Sequence, residues 1–137
     1  MATTFQLRLL GPHSEIYVGP AEAIMLPGAA GDFGVLSGHT KFVTELRPGQ
    51  LKLVSRGKTQ VFAVGGGFAE VFGEGVTVLA DSVERPEEID LDRARRSQGK
   101  AQAAMKDLDP TETAKLTRNH ARLARALNRI QIAGGND

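Results

Sequence analysis

Glycine does most to limit what this chain can fold into, because it is confined almost wholly to one part of it. Of 16 glycines in 137 residues, 13 precede Arg85, and only Gly99, Gly134 and Gly135 follow. Glycine permits the tight turns and close backbone approaches of sheets, and it weakens helix interiors. The front of the chain therefore reads as strands and turns, and the rest as helix. Phe5, Leu7 and Leu9 alternate with Gln6, Arg8 and Leu10, and Leu51 and Leu53 flank Lys52. Val61 and Ala63 follow Thr59-Gln60, while Val76, Val78 and Ala80 alternate with Thr77 and Leu79. Spacing of two places one face of each strand on a core. Turn signals stand at Gly11-Pro12, Gly19-Pro20, Pro27-Gly28, Arg47-Pro48-Gly49, Arg56-Gly57-Lys58 and Gly73-Glu74-Gly75. Short strands broken in this way suggest a sandwich or barrel. The expected fold is α+β in two parts, an all-β sandwich over residues 1–85 followed by a helical hairpin over 86–137.

The spacing predicts two antiparallel helices in the second part. Leu91, Ala94, Gln98, Ala101, Met105 and Leu108 follow each other at 3, 4, 3, 4 and 3 residues, one stripe of a helix. Asp90 suits its N-cap. Asp107-Leu108-Asp109-Pro110-Thr111-Glu112 reads as a stop and restart, with Asp109 as cap, Pro110 first in the helix and Glu112 as capping-box partner. The second stripe is Leu116, His120, Leu123, Leu127 and Ile130. Alanine, Gln98 and His120 fill seam positions where leucine would contribute ~1.5–3 kcal/mol. The hairpin is expected to be marginal by itself and able to change conformation at modest cost.

Composition removes whole classes of function. No cysteine is present, which excludes disulfides, thiol catalysis and cysteine-held zinc. Three scattered histidines make a metal cage unexpected. Seventeen basic against 16 acidic residues argue against a protein that coats nucleic acid by charge. No apolar run reaches the ~20 residues of a membrane span, and the N-terminus carries no secretory signal pattern. Ser37-Gly38-His39 lacks an orienting acid and an oxyanion hole. Gly65-Gly66-Gly67 precedes a strand, Phe68 to Phe72, so a bulge or tight corner is expected there rather than a phosphate cradle. Residues Gly28 to Gly34 lack the lysine of a P-loop and read as a flexible loop. Catalysis is not expected.

One charge pattern stands out. From Thr113 to Asn136 there are five basic residues, Lys115, Arg118, Arg122, Arg125 and Arg129, and no acidic one. The arginines are 4, 3 and 4 apart and share a helix side. Like charges at that spacing repel by a few tenths of a kcal/mol, so the stripe points to an anionic partner. A β-sandwich recognition module with a basic hairpin, binding RNA or an acidic protein, is one reading; a single tyrosine offers little stacking for RNA.

The order of motifs supplies another. Gly28-Ala29-Ala30-Gly31-Asp32-Phe33-Gly34-Val35-Leu36-Ser37-Gly38-His39 resembles the G-x-x-G-[ED]-x-G-[IV]-x-x-G-H signature of the epsilon subunit of F-type ATP synthases. Leu46-Arg47-Pro48-Gly49, the stretch Val64 to Val71, Val76 to Asp81, and Ile89-Asp90 with Arg93-Ala94 resemble later segments of that family in the same order. The resemblance implies a non-catalytic rotor-stalk subunit that links the gamma subunit to the c-ring. It implies a mobile hairpin that inhibits ATP hydrolysis when extended toward the alpha and beta subunits. Asp32 and His39 match positions near the ring. Thr40-Lys41 departs from the family's Ala-Pro, and Lys41 is expected to engage a polar loop of the ring. Arg118, Arg122, Arg125 and Arg129 are expected to grip an acidic segment of the beta subunit. Some bacterial members bind ATP in the folded hairpin, and Glu84, Ile89, Asp90, Arg93, Ala94, Arg125 and Arg129 match those positions. ATP is thus an expected regulatory ligand, with no required cofactor. The expected location is peripheral, on the cytoplasmic face of a bacterial inner membrane, held there by the complex.

Overall fold

The structure, a computed structural model, describes residues 3–38 and 41–134. It divides into two units, Met1–Arg85 and Pro86–Asp137.

Eight strands build the first unit: β1 Phe5–Leu10, β2 Glu15–Ala21, β3 Ala23–Gly28, β4 Gly31–Leu36, β5 Phe42–Ser55, β6 Lys58–Phe72, β7 Gly75–Ala80 and β8 Val83–Glu84. They run in the order β2-β1-β7-β6-β5-β3-β4, with β8 beside β6. All neighbours are antiparallel except β1 and β7. β5 and β6 pair along their whole length, from Phe42 opposite Val71 to Ser55 opposite Lys58. One half of this ribbon continues through β7, β1 and β2; the other carries β3 and β4 beyond β5, with β8 on the β6 side. The ribbon therefore belongs to both layers of a sandwich, and it must bend between them. Leu7, Leu9, Ile24, Leu51, Leu53 and Phe62 are among the side chains sealed inside.

The bend lies where Leu46 faces Gly67 and Pro48 faces Gly65. Gly66 and Gly67 have φ of +107° and +135°, which side-chain-bearing residues rarely adopt. A Cβ on Gly67 would stand 2.1 Å from the Leu79 carbonyl oxygen. The expected corner is thus a bend within a continuous strand. Arg47-Pro48-Gly49 and Gly19-Pro20, read as turns, also lie inside strands. Proline is tolerated at such a bend because the ladder is already disturbed there.

Two further expectations change. Gly28 to Gly34 is no flexible loop but a β-hairpin: Gly28 pairs with Gly31 around Ala29-Ala30, and β3 is backed by β5. Gly28 is bare because a Cβ would meet the Gly31 carbonyl oxygen at 2.6 Å. In β6, Phe62 and Val64 enter the core cluster rather than Val61 and Ala63. Phe62, Ala63 and Val64 are all buried, so alternation cannot set the phase there.

The second unit opens with a short 3-10 turn, Pro86–Glu88, followed by α1 Leu91–Lys106 and α2 Thr113–Gly134. The Asp90 carboxylate accepts the Arg93 N–H at 3.0 Å, capping α1. The α1 stripe is as expected, with Ala94 and Ala101 fully covered. On α2 the seam runs one step round the helix. Leu116, Leu123 and Ile130 face it with a buried Ala126, while His120 and Leu127 are exposed. Alanine lets two helix backbones approach, which a leucine at that position would prevent.

Asp109 does not begin α2; it caps the preceding turn. Its carboxylate accepts the Thr111 N–H and hydroxyl, each at 3.0 Å, and the Glu112 carboxylate accepts the Asp109 N–H at 3.0 Å. The Thr111 N–H and then its hydroxyl hold Asp109 below its ordinary 3.8. The Asp109 N–H and then Lys115 hold Glu112 below its ordinary 4.5.

Two measurements follow from this architecture. Gly67→Ala should lower the melting temperature of the sheet by about 10 °C or more, since a strained, clashing residue in a unit this size costs ~2–4 kcal/mol. An unchanged melt would show that the bend does not need a bare backbone. Both lowered carboxylates favour the folded turn above pH 4.5, and that contribution disappears as pH falls through their folded values. The Thr111 amide resonance should accordingly titrate with a midpoint below 3.8; a midpoint at 3.8 or higher would contradict the cap.

Candidate functional site

Asp32 is the second residue of β4, one step from the two-residue tip of the β3–β4 hairpin. Its carboxylate pairs with Arg47 of β5, Nη2 to Oδ1 at 2.6 Å. The Arg47 Nη1 donates to the Gly28 carbonyl at 3.1 Å, and the Ala29 N–H donates to the Glu45 carbonyl at 2.8 Å. Both members of the ion pair are exposed enough for water to screen them. Lys41 is exposed just before β5. His39 and Thr40 lie outside the described residues.

A second surface escaped the sequence reading. Phe68 of β6 stands opposite Leu79 of β7 and Glu45 of β5, and Leu79 stands beside Leu10 of β1. This row faces outward, with Phe68 and Leu79 each 55% exposed. Val43, one row along on the same face, is 68% exposed. Large apolar groups aligned on an outer sheet face mark a contact surface more often than scattered ones do. The signal was present in β7, where Leu79 occupies a slot that alternation assigns to solvent.

In the helical unit, Arg122 Nε donates to Ser97 Oγ at 3.3 Å, tying α2 to α1. In an antiparallel pair, that tie sets Arg125 and Arg129 level with Asp90 and Arg93. These four therefore share one end of the hairpin. Asp90 already spends Oδ1 on its cap, Ala94 is buried in the seam, and Ile89 is half-buried. Glu84 belongs to β8 of the other unit. Arg118 is exposed, whereas Arg122, Arg125 and Arg129 are half-covered along the seam edge. Among the described residues no group of three or more acidic or histidine side chains is placed to hold a metal ion. No helix there is long and apolar enough to cross a membrane.

Comparison with known proteins places these features in a family. Residues 4–86 match the ATP synthase delta/epsilon chain beta-sandwich domain, and residues 87–134 match the delta/epsilon chain long alpha-helix domain. A protein named ATP synthase epsilon chain from Geobacter metallireducens is 40% identical over 134 residues, covering 98% of this chain and 96% of its own. The protein of that name from Geobacter sulfurreducens is also 40% identical, with the same coverage. A chain in the mitochondrial ATP synthase of Euglena gracilis, solved as OSCP/F1/c-ring, superposes with a TM-score of 0.79 at 26% identity, covering 91% of this chain and 78% of that one. A chain of the central stalk and c-ring of Tetrahymena thermophila shares the fold, with a TM-score of 0.66 at 16% identity, covering 93% and 95%. The alternative of a recognition module for RNA or an acidic protein finds no support among these matches.

Proposed function

The chain belongs to the delta/epsilon chain family of ATP synthases, as a bacterial epsilon-type and therefore non-catalytic subunit, and on that premise we propose that it joins the gamma subunit to the c-ring and restrains ATP hydrolysis through its hairpin. The observation that carries this reading is the outward row of Phe68, Leu79 and Val43, apolar surface that a rotor subunit covers on assembly. That face is the seat for gamma. The β3–β4 tip with Asp32, together with His39 and Lys41, meets the ring. The protein sits peripherally at the cytoplasmic face of the inner membrane, held by its partners.

The helical unit is suited to the regulatory part. Among its described residues, Ala94, Ala101 and Ala126 are the buried ones, and alanine contributes far less on burial than leucine. Separating the helices is correspondingly cheap, as a two-state element requires. Once free, Arg118, Arg122, Arg125 and Arg129 form a cationic line for an acidic segment of the beta subunit. In the closed form, Arg125 and Arg129 stand level with Asp90 and Arg93, and this end of the hairpin is the place for ATP. Nucleotide bound there favours the closed form only by its differential affinity.

Replacing Arg118, Arg122, Arg125 and Arg129 together by alanine should raise ATP hydrolysis by the reconstituted enzyme at least about fivefold. Four exposed pairs at ~0.2–1 kcal/mol each support that range. Unchanged hydrolysis would remove the cationic grip. Calorimetry of the whole chain with millimolar ATP should give saturable heat that Arg93→Ala and Arg125→Ala abolish; no heat in the unmodified chain means no site.

A further inference from the structure

We infer that Arg47 is a positioning residue for the ring contact: its guanidinium clamps both strands of the β3–β4 tip and sets which oxygen of Asp32 is offered outward. The inference rests on the ring-contact reading of Asp32 proposed above. Arg47 stands on a different strand from everything it holds. One nitrogen takes the Gly28 carbonyl, at the end of β3, and the other takes Asp32 Oδ1, at the start of β4. Gly28 and Gly31 are paired across the turn, so the two acceptors belong to opposite sides of a two-residue loop. A planar guanidinium with donors fixed in a fork can bridge them; an ammonium, a point donor on a flexible stem, does not reproduce that geometry.

The position of Arg47 is itself constrained. It lies in the β5 bend between Leu46, opposite Gly67, and Pro48, opposite Gly65. Gly49, two residues on, is pressed against β3, where an added Cβ would stand 2.5 Å from the Pro27 Cβ. The same bend that joins the two layers therefore aims the guanidinium at the hairpin tip. Register between β3 and β5 shifts between Met25 and Gly28, beyond which Gly28 stands opposite Leu46. The Ala29 N–H bond to Glu45 and the Arg47 fork reinforce the tip on the far side of that irregularity.

This arrangement specifies the partner's chemistry. With Oδ1 already holding Arg47, Oδ2 of Asp32 is the less encumbered oxygen, and the adjacent guanidinium offsets the carboxylate charge. A ring group that meets Oδ2 through a single hydrogen-bond donor leaves the Arg47 contact in place.

The test uses the whole chain and the assembled enzyme. In the whole chain, amide exchange at Ala29 and Gly31 should accelerate about two- to fivefold in both Arg47→Ala and Arg47→Lys, the range an exposed charged contact supports. Equal exchange in Arg47→Lys and the unmodified chain would overturn the clamp. In membranes stripped of this subunit, the chain concentration that half-restores ATP-driven proton pumping should rise by a similar factor in Asp32→Asn. It should rise likewise in Arg47→Lys, with little added effect in the double variant. Multiplying effects would show that Arg47 does not act through Asp32, and would overturn the positioning role. An Asp32→Asn protein that pumps like the unmodified one would instead refute the ring-contact reading, while the exchange result still decides the clamp.

Discussion

The bend at Gly66 and Gly67 is the constraint on which the sandwich depends. β5 and β6 can belong to two layers only if the ribbon turns sharply without breaking its pairing, and the turn needs backbone at φ of +107° and +135°. The tight approach of the Leu79 carbonyl leaves no room for a Cβ at Gly67, so the conformation and the contact select the same residue. Much else is arranged around this point. The Asp81 N–H donates to the Gly66 carbonyl at 2.9 Å, holding the end of β7 against the corner. Across the ribbon, Pro48 and Gly49 bend β5 to match, and Arg47 is carried with them to the β3–β4 tip.

The two units are stabilised in different ways. The sandwich closes over buried leucine, isoleucine, valine and phenylalanine from β1 and from β3 to β7, with Ala21, Ile16 and Tyr17 of β2 and Val83 of β8 packed into or against them, the kind of packing that resists deformation. The helical pair meets through alanine, with half-covered leucines at the rim, and the Arg122 to Ser97 hydrogen bond ties α2 to α1. The proposed function, a seat on the rotor combined with a hairpin that changes position, would draw on this contrast, with the stiff part bearing load and the leaner part switching.

Much of this was legible in the residues. Phe5, Leu7 and Leu9 announce β1 because the strand is buried on one face only, and the α1 stripe is readable because each position on it faces the seam. Asp90 is legible as a cap because capping is local. What escaped depends on neighbours distant in sequence. Phe62 and Val64 could not be phased because their strand is covered on both sides. The β3–β4 hairpin hides behind glycines that exist for close approach and carry no hydrophobic signal. Ala126 outranks Leu127 at the seam because helix separation, not hydrophobicity, decides that position. The Arg47 to Asp32 pair spans 15 residues, and no local pattern joins them. The motif order identified the family where spacing alone left the partner open.

The energetics of the proposed switch also limit how it can be tuned. Opening the hairpin forfeits the Arg122 to Ser97 hydrogen bond, worth ~0.5–1.5 kcal/mol net, together with the burial of the alanine seam and of the half-covered Leu116, Leu123 and Ile130 beside it. What four arginines regain on an acidic surface is ~1–4 kcal/mol at the strength of exposed pairs. In the proposed switch, a nucleotide at the Asp90 end, or a change in ionic strength that screens the arginines, would shift the population of the two forms. Arg122 links the two sides of this balance, because the same guanidinium serves the closed seam and the open grip and cannot serve both at once. Strengthening the seam with larger side chains would stabilise the closed form at the expense of release, so a lean alanine interface is what a reversible brake requires.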